Sequence, residues 1–386
     1  MLRVPIATLC ACLLFAQQAP VESAWDLLRR GERKEAVRTL NRIVAAQPGN
    51  ADARLLLGSI LAEDGDRAGA IGQLTEAVRL RPQSAEAHNA LGEAYNGFGQ
   101  TKPARGEFEK AVALDPAFAQ AQVNLGQVLI LEGESAAAAR PLDRALQLFG
   151  NKPDAAYAHY LRAKVNTELN EIQQAQEHLA KAVALQPDFA EAWSDLGQTR
   201  KTLGDSDAAL AAFEKAVAAG PEDAVAQYRL GSEYFHRNEA RRALPHLEKA
   251  FALNPDDQST LYVLQSALRQ EGRMEEARQV KEKLADLLRK RDKAAEDELV
   301  AVQLNNQGAA FEKAGDLKRA IEKYRAALAL APEHVGFRVN FATALLRLGN
   351  WQEGVVQLKD ALRRDPENRR IKAALDAALR HAPQNK

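Results

Sequence analysis

The side chains that most often carry catalysis or bind metals are few and scattered in this chain. Its histidines form no HExxH motif and no cluster with the spacing of metal ligands. The sequence also contains no GxSxG, GxGxxG or GxxxxGKS/T motif, the common signatures of hydrolases, dinucleotide-binding enzymes and P-loop proteins. We therefore expect a protein that is not an enzyme and that uses no metal or cofactor. The seven histidines, interpreted as exposed or half-buried helix residues, are His88, His159, His178, His236, His246, His334 and His381.

Composition excludes several classes of protein. The chain has 386 residues, of which 46% are hydrophobic and 27% charged, as in folded soluble proteins and unlike disordered or polytopic membrane proteins. Its 52 Lys and Arg residues are balanced by 52 Asp and Glu residues. Nucleic-acid-binding proteins usually carry an excess of basic residues, so we expect no nucleic-acid partner.

The N-terminus is similar to a secretory signal peptide. A short basic start, Met1–Arg3, precedes an apolar run from Val4 to Ala16. That run is shorter than the ~20 residues that a membrane-spanning helix needs. Small residues before Ala24 favour a signal peptide of residues 1–23, and cleavage after Ala16 is a second choice.

This signal predicts a periplasmic or secreted protein that has no integral membrane span after cleavage. The only cysteines, Cys10 and Cys12, would leave with the signal peptide, which agrees with an oxidising compartment. Two alternatives stay open for the segment: a lipoprotein cleavage box at Leu9–Cys12, and a buried N-terminal helix.

A repeat of 34 residues organises the rest of the chain. If the recurring proline is position 32 of each unit, small residues recur at positions 8, 15 and 20. The prolines are Pro48, Pro82, Pro116, Pro187, Pro221, Pro255, Pro332 and Pro366. Position 20 is Ala36, Ala70, Ala104, Ala138, Ala175, Ala209, Ala243, Ala277, Ala320 and Gly354. Position 8 is Gly58, Gly92, Gly126, Gly197, Gly231 and Gly308, and position 15 is mostly Gly, with Asn170 and Asn238.

This register predicts two helices per unit. Positions 8 and 20 are expected to face each other where the helices cross closest, and position 15 to form the turn between them. The proline ends the second helix. Position 24 is larger and is expected to fill the seam to the next unit. Its residues are Leu74, Phe108, Leu142, Leu179, Phe213, Leu247, Tyr324 and Leu358.

The pattern resembles the tetratricopeptide repeat family, of an exported bacterial type. The unit at 190–223 carries the family's marked residues Trp193, Leu196, Gly197, Gly204, Ala209, Phe213, Ala216 and Pro221. The resemblance implies an all-α fold, a right-handed α-solenoid of about ten tetratricopeptide helix pairs with a C-terminal capping helix at 369–381. The units lie at about 17–50, 51–84, 85–118, 119–152, 156–189, 190–223, 224–257, 258–291, 301–334 and 335–368.

The register breaks once in a way that suggests a division of the chain. Unit 258–291 lacks both the glycine at position 8, where it has Gln265, and the closing proline, where it has Arg289. We expect an N-terminal array at 24–291, a helical spacer at 292–300 and a C-terminal array of two repeats with the cap at 301–386. The helix of this stretch is expected to be interrupted near Arg291–Asp292.

The resemblance also implies a binding surface, because positions 2, 5, 9 and 12 of the first helices line the concave face in this family. Tyrosine there offers stacking area and a hydroxyl, which suits recognition, although packing between helices is an equal alternative. Asn124 lies at position 6, where some members hold a peptide backbone with asparagines. The expected partner-binding residues are Asn89, Glu93, Asn96, Asn124, Gln127, Tyr157, Tyr160, Lys164, Gln198, Lys201, Tyr228, Phe235, Tyr262 and Arg269.

These features together predict a non-enzymatic scaffold of the bacterial envelope. It would present a concave groove to an extended peptide or a helix of other proteins. Two alternatives remain at this point: an accessory subunit of a glycan or exopolysaccharide synthesis or export system, and a cytosolic adaptor if the N-terminus is not cleaved.

Overall fold

The computed structural model describes residues 21–366 and 368–381, and these contain helices and turns but no β-strand. The chain forms two compact units, with the boundary in sequence between Pro255 and Asp256. Most of the predicted signal peptide, residues 1–20, lies outside the described residues.

The first unit is a series of helix pairs in which each helix packs against the next along the chain. After α1 (21–29), its helices are α2 (Arg33–Ala46), α3 (Ala51–Glu63), α4 (Arg67–Leu80), α5 (Ala85–Gly97), α6 (Thr101–Leu114), α7 (Ala119–Leu131), α8 (Ser135–Phe149), α9 (Ala155–Glu168), α10 (Ile172–Leu185), α11 (Ala190–Thr202), α12 (Ser206–Ala219), α13 (Ala224–His236) and α14 (Ala240–Leu253).

The second unit has the same construction around one long helix. Its helices are α15 (Gln258–Gln270), α16 (Met274–Lys313), α17 (Leu317–Leu330), α18 (Val335–Leu348), α19 (Trp351–Arg364) and α20 (Arg369–His381). Ile371 and Leu375 of α20 cover Leu358 and Ala361 of α19, so α20 caps the last repeat. The expected fold class, an all-α solenoid of tetratricopeptide helix pairs with a capping helix, is confirmed.

The turns within the pairs have the geometry that position 15 predicted. Gly65, Gly204 and the other turn glycines have positive φ, and so do Asn170 (61°) and Asn238 (62°). Glycine adopts this left-handed conformation without a steric penalty, and asparagine tolerates it better than most residues. The sharp reversal after each first helix is therefore a local property of the sequence.

In the six pairs that have glycine at position 8, the close approach of the two helices depends on it. A Cβ atom built on Gly197 would lie 2.5 Å from the Phe213 ring, and one on Gly92 would lie 2.6 Å from the Phe108 ring. The position-24 side chain therefore fills the space above the glycine of its own pair. This contact within the pair adds to the expected contact of position 24 with the next unit.

The same side chains also join neighbouring pairs. Leu142 of α8 shares a buried cluster with Leu161 and Val165 of α9, and Leu179 of α10 shares one with Leu196 of α11. Each core is thus completed by the next repeat, as expected for a solenoid whose stability comes from interfaces between adjacent repeats.

The long helix α16 contradicts the expected interruption near Arg291–Asp292. The helix is continuous from Met274 to Lys313 and includes the whole of the predicted spacer 292–300. No proline and no glycine occurs between Met274 and Gln307, and ion pairs such as Lys290 to Asp286 run along the helix. Nothing in the backbone chemistry therefore ends the helix.

At the N-terminus, α1 already belongs to the core. Val21 is 6% exposed and packs in a cluster with Leu40 and Leu57. Cleavage after Ser23 would remove Val21 from this cluster, whereas cleavage after Ala16 would retain it.

A pair of histidines is enclosed between α9 and α10. Nδ1 of His159 lies 2.8 Å from Nδ1 of His178, so one ring donates and the other accepts. Burial lowers the pKa of His159 to about 4, and the nearby His178 and Lys181 act in the same direction. Burial, Arg162 and Lys181 also lower the pKa of His178, against the opposite effect of Asp143 and Glu177. Protonation of both rings would bring two N–H donors face to face.

We predict that Gly197→Ala destabilises the protein by ~1–3 kcal/mol, because its methyl group would overlap the Phe213 ring. Gly106→Ala, in the interior of α6 with open space around it, should instead stabilise by ~0.5–1 kcal/mol through helix propensity. Urea unfolding of both variants measures the two changes. Equal changes in the free energy of unfolding of the two variants would contradict this packing.

The histidine pair predicts a loss of stability in acid. The folded-state pKa lies below the ordinary value of ~6.5, so the stabilisation is complete above that pH and is lost as pH falls toward about 4. His159→Gln is a suitable comparison, because Gln227 occupies the same repeat position and contacts His246 at 2.8 Å. Thermal unfolding between pH 7 and pH 5 should show a smaller fall in Tm for His159→Gln than for the unmodified chain. An equal fall in Tm with pH for the two proteins would contradict the prediction.

Candidate protein-binding surface

First helices of neighbouring repeats contact one another in the first unit, at α3–α5, α5–α7, α7–α9 and α11–α13. This arrangement brings the predicted inner positions of successive repeats onto one continuous side. The described part of this side contains a cleft, a row of buried polar contacts and an aromatic cluster.

The cleft lies across α1, α3 and α5 and has a volume of about 750 Å³. Trp25, which is 49% exposed, and Leu55 provide apolar surface, and Phe118 lines it from the turn before α7. Arg81 donates two hydrogen bonds to the carboxylate of Asp52, at 2.5 and 2.7 Å. The complete lining is Val21, Glu22, Trp25, Asp52, Leu55, Leu56, Ser59, Arg81, Glu86, Asn89, Ala90 and Phe118.

Sequence reasoning missed most of this cleft, although the repeat positions contain the signal. Asp52, Leu55 and Ser59 are positions 2, 5 and 9 of unit 51–84, and Val21 and Trp25 are positions 5 and 9 of unit 17–50. The expected binding residues begin in unit 85–118, and of them only Asn89 lies in the cleft.

Next to the cleft, predicted polar residues bond to one another. The amide of Asn124 donates to Oδ1 of Asn89 at 2.9 Å and to Oε1 of Glu93 at 2.8 Å, and both asparagines are buried. Asn96 and Gln127 are half-buried beside them on α5 and α7. The amide of Asn124 therefore stabilises the contact between adjacent repeats.

The same bond recurs at two other repeat boundaries. Arg229 donates to Oγ of Ser194 at 2.8 Å, and Asn340 donates to Oδ1 of Asn305 at 3.0 Å. In each case position 6 of one repeat reaches position 5 of the repeat before it. Position 6 thus has a structural role that is shared by asparagine and arginine.

An aromatic cluster follows on α9. The rings of Tyr157 and Tyr160 are stacked with centroids 6.2 Å apart, and Phe189 lies 4.9 Å from Tyr160. Nζ of Lys164 lies 5.7 Å from the centre of the Tyr160 ring. Tyr157 is 39% exposed, whereas Tyr160 is half-buried and also packs against the cores on both sides of α9.

The hydroxyl groups of this cluster stay protonated at neutral pH. Burial raises the pKa of Tyr157, and burial together with the carboxylates of Asp195 and Glu191 raises the pKa of Tyr160. Because the Tyr160 hydroxyl hydrogen-bonds with Asp195, it is Tyr157 that presents exposed ring surface and a hydroxyl, a combination suited to binding a peptide.

Charged residues on α11 and α13 are mostly paired. Lys201 lies 2.8 Å from the buried carboxylate of Glu233, which also accepts from Arg237 at 3.1 Å. Burial acts to raise the pKa of Glu233, but these two cations outweigh it and hold the pKa below its ordinary value. On the same helices, Gln198 is exposed and Tyr228 and Phe235 are half-buried.

Two predicted residues belong to the second unit. Tyr262, which is 54% exposed, and Arg269 both lie on α15. The first unit contains the other predicted residues and the cleft.

Neither a metal site nor a membrane span is found in the parts of the chain that the structure describes. In residues 21–366 and 368–381, no three histidines, cysteines or carboxylates come together as metal ligands would. Over the same ranges, no helix is both long and apolar enough to cross a bilayer.

Comparison with known protein families agrees with the repeat register. A family profile described as Tetratricopeptide repeat matches residues 21–85, 61–102, 97–156, 160–224, 194–240 and 228–295. A second profile with the same description matches residues 312–385. A search of curated proteins gave no match.

Solved structures show the same fold. The structure of pilF from Pseudomonas aeruginosa is 20% identical, with a TM-score of 0.51 over 54% of this chain and 94% of that chain. A tetratricopeptide repeat protein from Parabacteroides merdae is 16% identical, with a TM-score of 0.50 over 65% of this chain and 98% of that chain. Because the profiles cover most of the sequence and the helix pairs follow the same period, the chain belongs to the tetratricopeptide repeat family, whose arrays generally serve as non-catalytic scaffolds for protein–protein interaction.

Proposed function

We propose that the first unit binds a segment of a partner protein along the inner surface of its first helices, and that the protein is a non-enzymatic scaffold. The observation that carries the proposal is the cleft across α1, α3 and α5. An indole that is 49% exposed, with Leu55 and Phe118 beside it, offers apolar area at a concave site, where binding energy is usually concentrated.

The charges around the cleft favour one chemistry of partner. Asp52 is neutralised by Arg81, whereas Glu22 and Glu86 leave an excess of negative charge at the cleft. The segment that fits has an apolar side chain for the Trp25 surface and Lys or Arg beside it. Tyr157 and Tyr160 offer a second contact further along the same surface.

We further propose that the protein acts in the bacterial envelope after export. The basic start and the apolar run from Val4 to Ala16 support export. The burial of Val21 supports cleavage after Ala16 in preference to cleavage after Ser23, because only the former retains the whole of the first hydrophobic cluster.

The proposed groove is tested by selecting, from a displayed library of random peptides, those that bind the full chain. We expect selected peptides to combine apolar residues with Lys or Arg. Trp25→Ala should weaken their binding ~10- to 100-fold, as loss of a central aromatic anchor does. Tyr157→Ala, which removes a ring that is 39% exposed, should weaken the binding of longer peptides that reach α9, and isothermal titration calorimetry measures both effects.

The matched control is Val356→Ala, which removes a side chain that is 59% exposed on a second helix of the other unit. It should leave the affinity unchanged. An affinity that Trp25→Ala leaves unchanged, or that Val356→Ala lowers, would contradict the proposed groove.

Export is tested by N-terminal sequencing of the protein from a periplasmic or secreted fraction. We expect the mature chain to begin at Gln17, with Val21 retained. A start at Ala24 would show that the Val21 contact is dispensable, and an intact Met1 in the cytosol would contradict export.

A further inference from the structure

Apart from a hydrogen bond of 3.4 Å from Arg291 to Oε1 of Gln258, the middle of α16 has no packing partner in the second unit. Within residues 289–300 every side chain is exposed except Asp297, which is half-buried. On either side of this stretch, Leu284 and Ala301 are buried. The stretch is thus a length of bare helix between two packed ends.

One face of α16, along this stretch and just beyond its ends, is apolar except for Asp292, and its first member, Leu288, is half-buried. Leu288, Ala295, Leu299 and Val302 are separated by seven, four and three residues, so they lie on the same side of the helix. Leu299 is 60% exposed and Val302 is 38% exposed. A seam of this spacing is what a helix presents to another helix in a coiled coil.

Charges beside the seam divide by sign along the chain. The N-terminal half carries Arg289, Lys290, Arg291 and Lys293, with Asp292 among them, and the C-terminal half carries Glu296, Asp297 and Glu298. In the part of the chain that the structure describes, the side chains of Lys293, Glu296, Asp297 and Glu298 make no hydrogen bond or ion pair. The acidic half is therefore left without partners.

We propose that α16 pairs with α16 of a second copy of this chain, antiparallel and about a twofold axis near residue 293. In this alignment Leu288 faces Leu299 of the other copy, and Asp292 faces Ala295. Arg291 then lies beside Glu298 and Arg289 beside Glu296, the flanking positions that form ion pairs between coiled-coil helices. Because of the twofold symmetry each contact occurs twice, so the same apolar seam and the same charge pattern serve in both copies.

The charges select this orientation over the parallel one. Parallel pairing would place the basic halves side by side and would set Asp292 against Asp292. Antiparallel pairing places each basic half beside an acidic half. Because the free stretch is short, the dimer is expected to be weaker than an obligate one.

The first test is sedimentation equilibrium of the full chain over a range of concentrations. We expect a monomer–dimer equilibrium at low salt. The double variant Arg289→Glu with Arg291→Glu should raise the dissociation constant at least ~10-fold, and so should Glu296→Arg with Glu298→Arg. Circular dichroism should show unchanged helix content for both. A monomer at every concentration, or a dimer that neither charge reversal weakens, would overturn the proposal.

Mixing the two charge-reversed variants provides a rescue that a folding defect could not produce. At the flanking positions 289, 291, 296 and 298 one variant is entirely acidic and the other entirely basic, so the mixture should form a heterodimer of near-original affinity. Failure of the mixture to associate would overturn the proposal.

Orientation is tested by disulfide formation in a background carrying Cys10→Ser and Cys12→Ser. A chain with Leu288→Cys mixed with a chain with Leu299→Cys should cross-link to each other on oxidation. Each chain alone should cross-link poorly. Efficient cross-linking of Leu288→Cys to itself would indicate a parallel pair and would overturn the alignment.

Discussion

The structure depends on one steric constraint, the absence of a Cβ atom at position 8 of most repeats. The missing atom lets a ring or a leucine from the second helix lie directly against the backbone of the first, as Phe213 does at Gly197. That side chain then extends to the next repeat, so a single contact joins both the helix pair and the array. Each repeat is stable only as a neighbour of others, because its core is completed from outside.

The packing within and between repeats determines which residues are available for binding. Packing occupies positions 8, 20, 24 and 27, and the boundary bonds such as Asn124 to Asn89 occupy positions 5 and 6 where a polar side chain is present. Where position 5 is apolar, as at Leu55, no such bond forms and the side chain lines the cleft instead. The inner surface is therefore a mixture of structural polar contacts and open apolar area.

The second unit shows what happens when the repeat signals are absent. Without a closing proline, and with Arg289 in its place, the second helix of one repeat continues into the first helix of another. The helix remains regular because its residues favour helix and its nearby charges form pairs along it. Its middle gains no neighbour from the array, and so an apolar seam with separated charges stays accessible.

The sequence by itself determined the period, the helix pairs, the turns and the capping helix, because small residues and prolines act locally on the backbone. The resemblance to the tetratricopeptide repeat family implied that positions 2, 5, 9 and 12 face inward, although only Asn89 of the expected binding residues lies in the cleft. Only the tertiary structure decided which side chains bond to each other across repeats, that Glu233 is buried between two cations, and that α16 is unbroken. The bonds across repeats and the contact of Lys201 with Glu233 depend on distances between residues about 30 or more positions apart in the chain. The continuity of α16 depends on the balance of weak helix-breaking signals, which no local pattern specifies.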